Sequence, residues 1–400
     1  DSQKGFFPRM WSTEHSSNYM EFTGGLEYNI KRDYLGESRL VDIVKDFNQD
    51  IREGKVGADD FDNFLKDFGP FLDIQKPTFM QNMAYMFEYQ FGYMYWRYFM
   101  WNFSGRQDDK QGEYTDLHGN WLTGISFIDD ARLGPQEFIA SDAKNNKARN
   151  TYFMLPLLLG IIGILFHFKN DPKNFWVLLI FFLFTGIALK IYLNERPFEP
   201  RERDYALVGS FYVFAMWIGF GVYALFEIVK EKIKPKLAVP LVLAVTALAV
   251  PVLMGSQNWD DHDRSNRYTA QSMAKMYLDS CDENAIIFTI GDNDTFALWY
   301  AQGIEGYRQD VRVVNTSLFQ TDWYIDDMKK KAFSSDPIPS QLTHDKYKYG
   351  SRDFLFFQKT RKDTIDIKDW MDFVADDSKK TQVELESRKW ANTFPSKVIR

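Results

Sequence analysis

The chain has 400 residues, a formal net charge of -7 and a single cysteine. The acidic balance argues against nucleic acid as a partner. One cysteine, Cys281, excludes a disulfide within the chain. Mean hydropathy is negative, at -0.37, yet the polarity is uneven: polar flanks of roughly 150 residues, each long enough for its own core, surround a strongly apolar middle.

Residues 1–150 contain no repeats or low-complexity tract. Leu40–Phe68 reads as two short amphipathic helices, broken at Gly54-Lys55-Val56-Gly57 and ended by Gly69-Pro70. Phe79–Phe103 then carries methionine or an aromatic ring at almost every second or third position, including Tyr95, Trp96 and Trp101. The embedded Gln81, Asn82, Glu88, Gln90 and Arg97 make it a poor membrane span. Trp and Tyr favour the headgroup zone, where one end of the ring stays wet. A helix at the outer membrane surface, or docked on the membrane block, fits this pattern; a plain aromatic core helix is the alternative.

Four apolar runs follow: Thr151–Phe168, Phe175–Leu193, Tyr205–Val229 and Leu237–Gly255. A helix crossing lipid needs roughly 20 predominantly apolar residues, because lipid cannot hydrogen-bond the backbone. Buried helices of a soluble protein would carry polar stripes at helical spacing, and these runs are apolar all round. Four transmembrane helices are expected. Loops on the cytoplasmic side carry excess Lys and Arg. The first link holds Lys169 and Lys173, and the third holds Lys230, Lys232, Lys234 and Lys236. The second holds only Arg196, Arg201 and Arg203, among acidic residues. This bias places the first and third links in the cytoplasm and both large flanks outside. Lys190 and Glu227 sit near span ends, where long side chains can snorkel, so a transporter is disfavoured.

Residues 256–400 read as an external α/β domain. Arg264–Leu278 is a predicted helix, Ala285–Ile290 a strand, Phe296–Tyr307 a helix, Val311–Asn315 a strand and Asp322–Ala332 a helix. That alternation implies a parallel unit. The tail after Ser334 reads as polar and irregular. The start at Asp1 rather than Met, with membrane runs but no signal peptide, suggests a piece of a longer protein with further spans before it.

His15, His118, His167, His262 and His344 are scattered, without metal-ligand spacing. No nucleophile elbow, P-loop or full dinucleotide fingerprint occurs. Two acidic sites remain. Asp292 and Asp294 follow a predicted strand, where α/β sheets bind ligands, and two carboxylates could hold a divalent metal. A turn capping the next helix is the competing explanation. The external link from Glu195 to Tyr205 packs Arg201, Glu202, Arg203 and Asp204 at the membrane surface. Arginine forks bind phosphate bidentately, so a lipid-linked phosphate would fit there. The competing explanation is a solvated loop pairing its own charges.

Several stretches are familiar: Phe7-Pro8-Arg9-Met10-Trp11, Tyr93-Met94-Tyr95-Trp96-Arg97-Tyr98-Phe99, Pro200-Arg201-Glu202-Arg203-Asp204-Tyr205 and Gly291-Asp292-Asn293-Asp294-Thr295-Phe296. Together they resemble a Bacteroidetes family of multi-spanning membrane proteins long of unknown function, related to an animal protein O-mannosyltransferase and grouped with GT-C glycosyltransferases. The resemblance implies a bacterial inner-membrane enzyme with periplasmic flanks. Such an enzyme takes sugar from a polyprenyl-phosphate carrier and passes it to a periplasmic protein or glycan. It also implies a catalytic acid on a first external loop, ahead of this chain. Arg201 and Arg203 would then stabilise the leaving phosphate, with Glu202 and Asp204 orienting them or binding metal. Tyr95, Trp96, Arg97 and Trp101 would face carrier or sugar. A non-catalytic scaffold of an envelope complex is the rival expectation.

Overall fold

A computed structural model describes residues 19–23, 25–111, 114–195, 197, 203–351, 356–357, 364–376, 378–384 and 390–394. The chain packs as two compact units, residues 1–263 and 264–400.

The first unit opens on a small helix–strand layer. Helix α1 (Ser38–Arg52) and α2 (Ala58–Phe68) pack on an antiparallel pair, β1 (Tyr28–Ile30) with β2 (Leu72–Ile74). Leu40, Val44 and Ile51 form the buried stripe of α1. Gly54, at φ +68°, takes the left-handed turn after α1. Asp60 accepts the Gly57 N–H at 3.0 Å at the start of α2. Tyr28 and Phe61 are buried between these helices, and Phe47 stacks on Phe64 at 3.8 Å. This part agrees with the two broken helices expected from Leu40–Phe68.

Residues 79–103 form one continuous helical segment, α3. Thr78 and Gln81 cap its start reciprocally. Its middle, Tyr85–Arg97, is π-helical, with backbone bonds reaching five residues back, a form that is rare at this length. Tyr85, Tyr89 and Tyr93 stack along one face, and the Arg97 guanidinium lies 4.2 Å over the last ring. The end of α3 docks on the apolar helices: Phe99, Met100 and Phe103 share a core with Leu157, Phe175, Phe214 and Trp217.

Three helices are long and apolar enough to cross a membrane: α5 (Pro172–Leu193), α6 (Tyr205–Lys230) and α7 (Pro235–His262). The expected first span is shorter. Helix α4 (Leu155–Asn170) has 16 residues, about 24 Å of rise. Its run loses the first residues because Thr151 lies in strand β4 (Asn150–Thr151), paired with β3 (Gly105–Arg106). Phe153 and Met154 then turn through left-handed φ values before the helix begins. Conversely, α7 runs past Gly255 to His262, since nothing in Ser256–His262 breaks a helix.

Helices α4 and α6 touch backbone to backbone. A Cβ on Gly163 would collide with the Trp217 carbonyl, and one on Gly221 with the Leu159 carbonyl. Lipid gives apolar helices no hydrophobic reason to associate, so such small-residue contacts do the packing. Lys190 does not snorkel as its position near a span end suggested. It is buried and pairs with Glu195 at 2.6 Å, because α3 covers that end: Tyr85 and Gln90 bond the backbone of Glu195 and the side chain of Asn194. Glu227 pairs with Lys230 at 2.6 Å.

The second unit carries the expected parallel pair, β5 (Ile286–Thr289) with β6 (Arg312–Asn315). Helices α8 (Thr269–Asp279), α9 (Asp292–Gly303) and α10 (Asp322–Met328) accompany it. Ala274, Leu278, Leu298, Ala301 and Val313 make its core. The tail after Ser334 is not simply irregular. It holds α11 (Ile367–Ala375) and a three-stranded sheet in which β9 (Trp390–Phe394) lies between β7 (Phe356–Phe357) and β8 (Gln382–Glu384). Strands of two to five residues carry too little alternation to stand out in a polar sequence.

Candidate functional site

The first unit contains a cavity of about 500 Å³. Tyr98, Trp101 and Asn102 reach it from α3, Arg106 from β3 and Tyr152 from just after β4. Met254, Gly255, Asn258, Trp259 and His262 come from the last nine residues of α7. It therefore sits at the end of a membrane-length helix, where an apolar stretch gives way to Gln257-Asn258-Trp259-Asp260-Asp261-His262.

Its polar wall is tightly tied. Arg106 Nη2 donates to Asp261 Oδ2, and Arg106 Nε donates to the Ala148 carbonyl at 2.8 Å. The second Asp261 oxygen lies 2.8 Å from His262 Nδ1. Asn258 Nδ2 donates to the Tyr152 hydroxyl and to the Met254 carbonyl, both at 2.7 Å. Gln257 Oε1 accepts the Thr151 N–H at 2.6 Å, which locks α7 onto β4. Burial raises the Tyr152 phenol above its usual range; like any phenol it carries its proton at neutral pH, so the hydroxyl that accepts from Asn258 can also donate.

The aromatic wall is Tyr98, Trp101 and Trp259. Trp101 is only 4% exposed and lies between two guanidinium groups, Arg97 at 4.6 Å and Arg106 at 5.5 Å. Its Nε1–H is buried without a hydrogen-bond partner. Leaving such a donor unsatisfied costs about 1–3 kcal/mol. The Arg106–Asp261 pair cancels its own charge. The cavity thus favours a neutral, hydroxylated group with one apolar face over a bare anion.

The residues singled out in the sequence fall in different places. Trp101 lines the cavity. Tyr95 is buried and bonds Ser210 Oγ at 2.6 Å, and Trp96 is half exposed, stacked on Phe99. Arg97 is 3% exposed and donates to the carbonyls of Tyr93 and Gly119, so its charge faces protein. Arg203 is exposed, and Asp204 begins a short 3-10 turn. Arg201 and Glu202 lie outside the described residues. Asp294 accepts the backbone N–H groups of Ile290 and Gly291 and caps α9, which holds its carboxyl below the usual range; Asp292 is the first residue of α9. Among the described residues no group of three or more His, Cys, Asp or Glu side chains is arranged to hold a metal. Sequence reasoning missed Arg106, Tyr152, Asn258 and Asp261, and passed over His262 as isolated. The available signal was the polar run that continues the α7 helix without a breaker.

Residues 270–400 match TMEM260-associated domain 2. Residues 1–87 match a family of unknown function (DUF8416). No curated protein and no solved structure matches the chain. The TMEM260-associated segment begins within α8 and covers nearly all of the second unit. The cavity, built from residues 98–262, lies between the two matched stretches, so its assignment rests on geometry.

Proposed function

We propose that this chain belongs to a membrane glycosyltransferase similar to protein O-mannosyltransferases, which moves a sugar from a polyprenyl-phosphate carrier to a periplasmic protein or glycan. The observation that carries the reading is the cavity at the end of α7. Aromatic rings beside paired amide, carboxylate and guanidinium groups suit a sugar, whose C–H faces stack while its hydroxyls exchange hydrogen bonds. Its place at the end of an apolar helix suits a ligand with a polar head and a lipid tail. The TMEM260-associated segment and the resemblance to the O-mannosyltransferase-related family support the same class.

In this reading the exposed Trp259 ring stacks on the sugar, Trp101 backs the wall behind it, and the Arg106–Asp261 pair with Asn258 reads its hydroxyls. The bond from the anomeric carbon to the carrier phosphate breaks as the acceptor oxygen bonds to that carbon, and the acceptor hydroxyl passes its proton to a carboxylate general base of the full-length enzyme. Arg201 and Arg203 stabilise the departing phosphate, whose charge grows in the transition state. Glu202 and Asp204 orient them or bind a divalent metal; Asp292 and Asp294 of the second unit are a separate candidate for a divalent metal. The enzyme acts on the external face of a bacterial inner membrane.

The test is a transfer assay. Membranes with and without the full-length protein receive radiolabelled mannosyl-phosphoryl-polyprenol and periplasmic proteins. Protein-bound label that depends on the polypeptide is expected, reduced about 10²-fold in Arg201→Ala. No transfer from this or other lipid-linked sugars would sink the reading and favour an envelope scaffold.

A further inference from the structure

A second cavity lies within the apolar helices. It has about 280 Å³, with Val222 and Phe226 of α6 on one side and Val239, Val242 and Leu243 of α7 on the other. Gly219 completes it, and a Cβ placed there would meet nothing within 4 Å. The contrast with Gly163 and Gly221 is direct. Those glycines are small because another helix presses against them, whereas Gly219 borders open space. Every lining group except the Tyr223 hydroxyl is apolar, and the walls lie inside two membrane-length helices. In that position the surrounding solvent is hydrocarbon, so the matching occupant is an acyl chain.

The groove leads towards a concentrated positive charge. Phe226 is one helical turn, about 5.4 Å of rise, before Lys230, and Lys230 Nζ lies 5.7 Å from its ring. Lys230 pairs with Glu227, but Lys232, Lys234 and Lys236 are exposed and make no ion pair among the described residues. They flank the start of α7, whose Val239 is less than a turn beyond Lys236. Clusters of lysine at the end of a membrane helix attract anionic headgroups.

We propose that the α6–α7 groove and the Lys230–Lys236 link together bind one anionic phospholipid, acyl chain in the groove and headgroup phosphate against Lys232, Lys234 and Lys236. The site requires α6 and α7 to cross a membrane and is independent of glycosyl transfer. It lies at the link between α6 and α7, in the leaflet next to those lysines.

The experiment is native mass spectrometry of the full-length protein in detergent, offered phosphatidylglycerol or phosphatidylcholine with identical acyl chains. Retention of phosphatidylglycerol at least tenfold above phosphatidylcholine is expected. The Lys232→Gln, Lys234→Gln, Lys236→Gln triple variant should lose that preference, each lysine contributing about fivefold. Gly219→Leu, which enters open space and favours the helix, should reduce retention of both lipids. Equal retention of the two lipids by the wild-type protein overturns the proposal, as does wild-type retention by Gly219→Leu. A folded triple variant that keeps the preference overturns it as well.

Discussion

At the scale of single residues, the cavity depends on an ion pair that cannot lose one partner cheaply. The side chains of Arg106 and Asp261 are 19% and 11% exposed. Removing one charge strands the other in a low-dielectric site, at a cost that reaches 3–5 kcal/mol for fully buried pairs. Partial exposure lowers this, so Asp261→Ala should destabilise the protein by about 2–3 kcal/mol. Arg106→Met combined with Asp261→Ala should cost less than the sum of the two single changes, with a coupling of about 1–2 kcal/mol. Denaturation of the four species in detergent measures this, and strict additivity would mean that the pair contributes nothing. Trp101 was legible in the sequence as part of an aromatic stretch. Its role was not, because the cavity it lines is completed by Tyr152 and Asn258, which come from distant parts of the chain.

At the scale of elements, glycine positions of the same composition carry opposite signs. Alanine is the better helix former by about 1 kcal/mol. Gly163→Ala nevertheless drives a methyl into the Trp217 carbonyl of α6, and overpacking of this kind costs about 1–3 kcal/mol. Gly219→Ala meets no neighbour and should show the propensity gain alone. Thermal unfolding in detergent should therefore lower the midpoint for Gly163→Ala and hold or raise it for Gly219→Ala. The same midpoint for both variants would contradict the close α4–α6 contact. The sequence marked the apolar runs well, since length and hydropathy are local properties. It misjudged their ends, because Thr151 is drawn into a strand by Gly105 and Gln257, which no local window contains.

At the scale of the whole molecule, the chain divides into two compact units, so a charge removed from one should be felt there first. In the second unit, the Arg308 guanidinium at 2.9 Å holds the Asp310 carboxyl well below the usual range, aided by the Asn284 N–H. A carboxylate with a depressed folded pKa stabilises the fold above its unfolded value, about pH 4. That contribution fades as the pH falls through the folded pKa. Asp310→Asn should thus speed hydrogen exchange across residues 284–312 at pH 7, and the difference from the wild-type protein should shrink as the pH falls below about 4. Residues 155–262 should exchange alike in both. A uniform change over both units would argue against their separate cores.

The sequence by itself determined what depends on neighbours along the chain. That covers the apolar runs, the break between α1 and α2, the helical course of residues 79–103, and the strand–helix alternation around Asp292. Each is set by periodicity, length and turn residues, which act over one or two turns of backbone. Only the tertiary structure decided where Lys190 and Arg97 put their charges, that α4 falls short of the other apolar helices, and that α3, β3, β4 and α7 converge on one cavity. Those outcomes turn on contacts between separate elements, some of them more than 100 positions apart, such as Arg106 with Asp261 and Tyr152 with Asn258. Desolvation and hydrogen-bond satisfaction act on these groups only after the elements have met.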